Sequence, residues 1–352
     1  MELVINDRIT NRKITFFESF DITLRYDAVA STFSFSFLFD PNNPDHKDLA
    51  AIGHYHIASL YHNKELLLTG YILSESLTDE PSKVPVTISG YSLPGVLEDC
   101  QIPTTSYPIQ FDGLTLAQIS SKVLAPFGIK QIVNPSVASD MNSPYVETEA
   151  KSGQTIRDIL VDLATQKNII ISHDEQGRLV YTRPSSKQKP IFNFESNIPQ
   201  TSMKLTFDGQ GMHSDITVFQ QKDFDVETPA TTVAIKNPYV PFVYRPHVVS
   251  QTSGNANDTQ KAAENIRARE LKGMTLQITT DRWIIDNKVI RPGQLLTAIN
   301  PAVYLYKKST WFIESVRLKG DSKETIATLG CVLPEVYSGE TPTYLFKGIN
   351  LR

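Results

Sequence analysis

The chain has no apolar run of the roughly 18 residues that a membrane-spanning helix needs, so neither a transmembrane helix nor membrane insertion is expected. It has only 2 cysteines, Cys100 and Cys331, far apart in sequence and too few for a disulfide framework. Both are expected to be reduced and buried. Positive charge is not in excess: 34 Lys and Arg against 38 Asp and Glu give a net charge of -4. That balance excludes attraction to nucleic acid through overall charge. The opening residues MELVINDRIT are acidic and polar where a signal peptide needs a basic then an apolar stretch. Synthesis and folding in a cytoplasm are expected. The patterns G-x-S-x-G, H-E-x-x-H and G-x-x-x-x-G-K-[ST] do not occur, which removes support for nucleophile-elbow, zincin and P-loop chemistry. Gly209-Gln210-Gly211 lacks a following glycine and helix and reads as a hairpin turn.

What is present is ample core material, 40% hydrophobic residues in 352, enough for two to four domains. The 21 prolines and 17 glycines are spread as punctuation between short β-favouring runs. Only three helices are convincing. The pattern predicts a mainly β chain with an α+β insert, two β-barrel-like domains flanking a mid-chain α+β region.

Residues 1–99 read as the first β-barrel-like domain, with strands at regular short spacing. Leu3–Ile5 is a short strand, Asp7-Arg8 a turn and Lys13–Phe17 the next strand. Ile22, Leu24 and Tyr26 alternate with polar neighbours. Phe33, Phe35, Phe37 and Phe39 recur at period two, which places four rings on one strand face and favours core packing over a subunit interface. Residues 40–48, DPNNPDHKD, form a polar loop; Tyr55–Leu60, a tight turn at Asn63-Lys64, Leu66–Leu73 and Val84–Ile88 follow. Residues 100–185 form the α+β insert. Leu116, Ile119, Val123 and Leu124 share a helical face that Pro126 and Gly128 close. Residues 134–149 are a polar loop. Ile156, Ile159, Leu160, Leu163 and Ala164 form a second helical face, stopped at Asn168. Two strands, Ile169–Ser172 and Leu179–Arg183, flank a turn at Asp174-Glu175-Gln176-Gly177.

Residues 186–250 are a β and loop connecting domain. Strands Met203–Phe207 and Ile216–Phe219 flank the Gly209–Gly211 turn, and residues 223–246 form a proline-containing excursion that suits an interface arm. Residues 251–335 read as the second β-barrel-like domain. Asp258 can cap a surface helix from Thr259 to Lys272. Strands are expected at Met274–Thr280, Trp283–Ile285, Leu295–Ile299, Trp311–Leu318 and Glu324–Leu333, with turns at Asp286-Asn287-Lys288 and Lys319-Gly320-Asp321. Residues 336–352 form a C-terminal arm.

Chemistry has few footholds. His54 and His56, with His62 nearby, would face one side of a strand as two metal ligands could. No cysteine or carboxylate stands beside them at a convincing spacing, and a surface or interface pair is the better reading. His213 and Asp215 are weighed the same way. Paired carboxylates for glycoside hydrolysis could be drawn from Glu75, Asp79, Glu80, Asp174, Glu175, Asp223 and Asp225. Most of these sit at expected turns, where Asp serves local hydrogen bonds. Lys122, Lys130, Lys187 and Lys189 read as solubilising surface. No catalytic, cofactor-binding or metal-binding residue is assigned, and no cofactor is expected.

Several stretches together carry a resemblance. They are SGQTIRDILVDLATQKNIIISHDEQGRLVYTRP at 152–184, LLLTGYILSESL with VPVTISGYSLPGVLEDC at 66–100, and TLAQISSKVLAPFGI at 115–129. Arg245-Pro246, Trp283 and Pro292-Gly293 add to it. The chain resembles the Mu-type contractile-tail baseplate hub family, also called late control protein D, which is related to the hub region of type VI secretion spike proteins. Departures are Gln220-Gln221, the proline-rich excursion at 229–246 and the C-terminal extension. The resemblance implies a structural subunit and not an enzyme: a homotrimeric ring joining the sixfold tail tube to the threefold central spike. Its implied partners are the spike protein, a tail tube protein or tube-initiator and baseplate wedge proteins. DNA would pass through the lumen without sequence-specific binding, and the subunit would reside in the virion after assembly in the host bacterial cytoplasm. Alternatives are a hub or spike component of a related contractile injection or type VI secretion system, a tail-associated cell-wall hydrolase, and a carbohydrate-binding β-protein.

Overall fold

The computed structural model describes residues 1–6, 11–81, 83–145, 148–151, 153–220, 232–251, 256–321 and 323–346. The turn expected at Asp7-Arg8 lies outside the described residues. The chain forms two compact units, one of Met1–Arg183, Thr280–Pro292 and Glu314–Thr328, the other of Pro184–Thr279, Gly293–Ile313 and Leu329–Arg352. The class is the expected one, mainly β with an α+β insert.

In the first unit the chain lays down β1 (Glu2–Asn6), β2 (Asn11–Ile14), β3 (Ser19–Arg25) and β4 (Thr32–Leu38). The alternation works as period-two patterning requires: Phe20, Ile22 and Leu24 of β3 and Phe33, Phe35 and Phe37 of β4 are buried. Phe39 lies past the end of β4 and is only half-buried, so three of the four rings take the core face. Phe17 adds an edge contact to Phe35, with ring centroids 4.8 Å apart. The polar loop at 40–48 holds a short helix, α1 (Pro44–Leu49). Asn43 accepts a hydrogen bond from the Asp45 backbone and Pro44 opens the first turn, a capping signal concealed by the polar composition.

Next come β5 (Ile57–His62), β6 (Glu65–Leu77) and β7 (Pro85–Ser92). Asn63 and Lys64, with φ of 45° and 71°, form the two-residue turn between β5 and β6. Gly70 lies inside β6 and Gly90 inside β7. Tyr71 faces Tyr91 across β6 and β7, and the register shifts between Ile72 and Ser74. A Cβ on Gly70 would lie 2.0 Å from the Tyr91 carbonyl oxygen, and one on Gly90 would lie 1.8 Å from that of Tyr71. Only hydrogen fits at either position.

After β7, α2 (Val96–Asp99) leads into the insert. There α3 (Leu116–Leu124) starts on a reciprocal capping box between Thr115 and Gln118. Strand β8 (Gln131–Val133) follows. The expected loop at 134–149 contains α4 (Ala138–Met141), because Val137, Met141 and Tyr145 are apolar anchors that bury into the insert core. Helix α5 (Ile156–Gln166) buries Ile156, Ile159, Leu160, Leu163 and Ala164, the five positions its period predicts. Asn168, at φ 52°, ends it. Strands β9 (Ile170–His173) and β10 (Leu179–Thr182) form the hairpin, and β8 joins β10 in parallel. Two buried hydroxyls fasten the layers: Tyr181 donates to Ser120 Oγ at 2.7 Å and Tyr145 to the Leu163 carbonyl at 2.7 Å. Lys122, expected to be a free surface cation, donates to the Pro108 carbonyl at 2.9 Å.

In the second unit β11 (Asn193–Glu195) and β12 (Ser202–Phe207) are followed by β13 (Asp215–Gln220), β14 (Thr232–Lys236) and β15 (Pro246–Gln251). The expected hairpin at Gly209–Gly211 is not one. β13 pairs with β14 and β15, and β12 with β16 (Met274–Thr280). The segment turns there but its flanking strands belong to different ladders. Part of the expected excursion at 223–246 is strand β14; residues 221–231 lie outside the described residues. Helix α6 (Ala256–Glu270) starts two residues before Asp258, which therefore lies inside it and is not its cap. It is more than a surface helix. Ala263 packs on Ile216 and Val218 of β13, and Arg267 is buried, donating to the Lys236 carbonyl and Thr341.

The chain returns to the first unit as a hairpin of β17 (Ile284–Ile285) and β18 (Lys288–Val289) about Asp286 and Asn287, both with positive φ. Strand β19 (Leu295–Asn300) pairs in parallel with β11 and antiparallel with β20 (Leu305–Asp321), all within the second unit up to Phe312. Residues 315–321 of β20 pair with β3 in the first unit. The turn expected at Lys319–Asp321 is thus strand. A Cβ at Gly320 would meet the Phe20 ring at 2.7 Å, so the glycine seats an aromatic ring. The reversal comes after Asp321, whose carboxylate accepts from the backbones of Lys323 and Glu324. Strand β21 (Thr325–Val332) and α7 (Glu335–Ser338) follow. Tyr337 is buried and its ring centroid lies 5.0 Å from that of Phe312.

Gly90→Ala is expected to destabilise the protein by about 1–3 kcal/mol, the range of overpacking. Gly211→Ala, where a Cβ meets nothing within 4 Å, is expected to stay within about 0.5 kcal/mol. Denaturant melts of both variants check this, and equal losses would contradict it.

Candidate functional site

Ser92 closes β7 and brings three segments of the first unit together. Its hydroxyl accepts from the Ser31 backbone at 3.0 Å and donates to the Val29 carbonyl at 3.3 Å. Its own backbone N–H donates to the Ser31 carbonyl at 2.8 Å. Ser31 Oγ in turn accepts from the Arg25 backbone at 3.0 Å. His173, the last residue of β9, completes the set: Nδ1 lies 2.8 Å from the Ala28 carbonyl and Nε2 lies 2.8 Å from Ser31 Oγ. A carbonyl only accepts, so Nδ1 carries the proton and Nε2 accepts from the serine hydroxyl. This ties the hairpin of the insert to the β3–β4 connection.

The pair has the composition of a serine nucleophile and its base, but not the arrangement. Ser31 is 1% exposed, and its Oγ is engaged by the Arg25 backbone and by His173. The group behind the imidazole is a backbone carbonyl and not a carboxylate, so no orienting anion stabilises an imidazolium. Burial pushes the His173 ring below the ordinary histidine range, against the smaller opposing effects of the Ala28 hydrogen bond and Asp174. A cavity of about 250 Å³ opens beside it, lined by Leu24, Tyr26, Glu175, Thr182 and Arg291 among others. Burial pushes the Tyr26 hydroxyl up to about 12, partly offset by its hydrogen bond with Thr182. Arg291 is already paired: Glu65 Oε1 accepts from its Nη2 at 2.9 Å, while Oε2 accepts from the Val289 backbone at 3.0 Å. The cavity thus brings His173 and Tyr26 beside the charged side chains of Arg25, Asp174, Glu175 and the paired Arg291.

The candidate acids are dispersed. Asp174 closes its own turn, accepting from the Gln176 and Arg178 backbones at 3.1 and 2.9 Å and from Arg178 Nε at 2.5 Å. Glu80 pairs with Lys83 at 3.3 Å. Glu75 lies on β6, Asp79 is exposed beyond its end, and Glu175 lines the cavity. Asp223 and Asp225 lie outside the described residues. Lys130, Lys187 and Lys189 are exposed. Cys331 is buried, whereas Cys100 is only half-buried; neither forms a disulfide.

His54 and His56 lie in the irregular segment before β5 and not on a strand, with ring centroids 5.4 Å apart. Asp48, which the sequence spacing did not single out, joins them. His62 is elsewhere, packed on the Trp283 ring at 4.5 Å. His213 does not pair with Asp215, whose carboxylate accepts from Ser214. It meets His247 and Glu270, two residues with no sequence signal because 34 and 57 positions separate them from it. Glu335, also unmarked in sequence, has its carboxyl pushed up by burial and, to a lesser degree, by Glu340.

Because folded His173 resists protonation while the unfolded ring titrates near about 6.5, its contribution is fully present above that pH. It is lost as pH falls below it, with a slope of at most about 1.4 kcal/mol per pH unit. The melting temperature is expected to fall more steeply from pH 7.5 to 5.5 in the wild type than in His173→Gln. Parallel profiles would contradict this.

His173, but not Ser31 or Ser92, lies in a segment with known relatives. Residues 94–183 match the family described as baseplate hub protein gp44-like, second domain. No curated protein matches the chain in sequence. In fold, the chain is similar to the 43 kDa tail protein of prophage MuSo2 from Shewanella oneidensis. The two are 22% identical, with a TM-score of 0.78 over 96% of this chain and 99% of that one. It is also similar to the tail protein from Neisseria meningitidis MC58, 18% identical with a TM-score of 0.77 over 97% and 98%. A third likeness is to the E. coli c3393 protein, a component of the type VI secretion system, 11% identical with a TM-score of 0.56 over 98% and 80%. The chain thus resembles the contractile-tail baseplate hub family, in sequence through residues 94–183 and in fold along nearly its whole length.

Proposed function

We propose that the chain is a structural baseplate hub subunit of a contractile phage tail. The observation that carries this is the full-length likeness to two tail proteins together with the hub-domain match inside it. In this reading three chains close into a ring that joins the sixfold tube to the threefold spike, with the β-rich regions on either side of the insert supplying pseudo-sixfold contacts. Its partners are further copies of itself, the central spike protein, a tube protein or tube-initiator and the baseplate wedges. The subunit is assembled in the host bacterial cytoplasm and resides in the virion baseplate.

Two features support a contact role. Among the described residues, β2 pairs only with β1 and β12 only with β16, leaving one edge of each available for pairing. In the segment before β15, Phe242 is 94% exposed and Tyr244 79%, which suits an arm buried by a partner. The net charge of -4 gives the chain no overall basic excess, in keeping with DNA that passes through the lumen unread. No helix of the described residues is long and apolar enough to cross a membrane.

A second reading, a hub or spike component of a related injection device, is favoured by the likeness to the type VI secretion protein. A wall-hydrolase reading fares worse: Asp174 is committed to its turn and the serine beside His173 is buried.

One chain has a mass of 39.4 kDa, so three give 3 × 39.4 = 118.2 kDa. Light scattering across a concentration series is expected to find a species near that mass. A monomer at every concentration, with spike and tube proteins present, would overturn the trimer.

A further inference from the structure

We propose that His213, His247 and Glu270 form a binding site for a divalent transition-metal ion, zinc in the first instance. The residues come from three elements of the second unit: the segment leading into β13, the second residue of β15 and the last residue of α6. Glu270 Oε1 lies 2.7 Å from His213 Nδ1 and 3.1 Å from His247 Nδ1, and the two rings have centroids 4.5 Å apart. One donor atom from each residue therefore falls within 4.8 Å of the others.

Three observations point to a cation. First, two imidazole nitrogens converge on a single carboxylate oxygen. Each can satisfy that oxygen only by carrying a proton, whereas a metal ion accepts both lone pairs and the carboxylate together. Second, Glu270 sits at the C-terminal end of a helix, where the macrodipole disfavours an anion, and its side chain is only 8% exposed. A buried anion in that place calls for positive charge. Third, the carboxylate is already oriented. Oε2 accepts from the His213 backbone at 2.9 Å, which turns Oε1 toward the rings.

Two neutral histidines and a carboxylate make the ligand set of an open zinc site, with the fourth position left for water. Ligands about 2.1 Å from a tetrahedral ion stand about 3.4 Å apart. The separations of 2.7 and 3.1 Å from Glu270 Oε1 therefore widen by about 0.7 and about 0.3 Å when the ion replaces the shared protons. The side chains of His213 and His247 are 28% and 38% exposed, which provides the entry path. Bound there, the ion clamps the end of α6 to the sheet of β13, β14 and β15. The other cluster, Asp48, His54 and His56, is less suited, because His56 Nε2 is engaged with the Asp48 backbone carbonyl at 3.1 Å.

The test uses the full chain, stripped with chelator and titrated with cobalt(II) and then zinc. One cobalt per chain with the intense visible bands of four-coordination is expected, displaced by zinc. His54→Ala/His56→Ala should keep these bands, and His247→Ala should lose them. X-ray absorption of the zinc-loaded wild type should show two imidazoles and does not depend on whether a variant folds. Absence of binding, retention of the bands in a folded His247→Ala protein, or fewer than two imidazoles on the zinc would each overturn the proposal.

Discussion

Two carbonyl oxygens, those of Tyr71 and Tyr91, each occupy the space where a side chain would begin on the facing strand. The crossing of β6 and β7 at Gly70 and Gly90 is the constraint from which the rest of the first unit follows. It permits the register shift between Ile72 and Ser74 and so sets the direction in which β7 leaves the sheet. Ser92 then lies where it can bond Ser31 and Val29, and the chain enters α2 and the insert from a fixed point. His173 returns from the far end of that insert to Ser31, the residue whose backbone Ser92 holds. A polar clasp at both ends of an insert of about 80 residues holds it to the sheet through directional bonds, where apolar contact alone would leave orientation free.

The insert was legible from sequence because its signals are local. The face of α5 follows directly from residue spacing, and Thr115 with Gln118 writes the start of α3. The strands were legible as strands but their pairings were not. β12 and β13 look like a hairpin about Gly209 and Gly211, yet their partners, β16 and β15, come from later in the chain. Period-two patterning identifies a face and not a neighbour. Helix α6 misled for a related reason. Its apolar stripe is narrow because Ala263 suffices for close packing on β13, and a buried arginine takes a position that composition marks as exposed.

The same distinction governs the candidate sites. The pair His54 and His56 is visible because both lie close in sequence, but its carboxylate, Asp48, comes from a helix hidden in a polar stretch. His213, His247 and Glu270 assemble only after a parallel strand pairing and a helix of 15 residues have been placed. Polar residues that meet through tertiary structure leave no spacing to read.

Electron microscopy of the assembled protein tests the central claim most directly. The account predicts closed rings in which three copies display six similar lobes around an open centre. Monomers, open filaments or rings of another symmetry in class averages, with tube and spike proteins supplied, would contradict it.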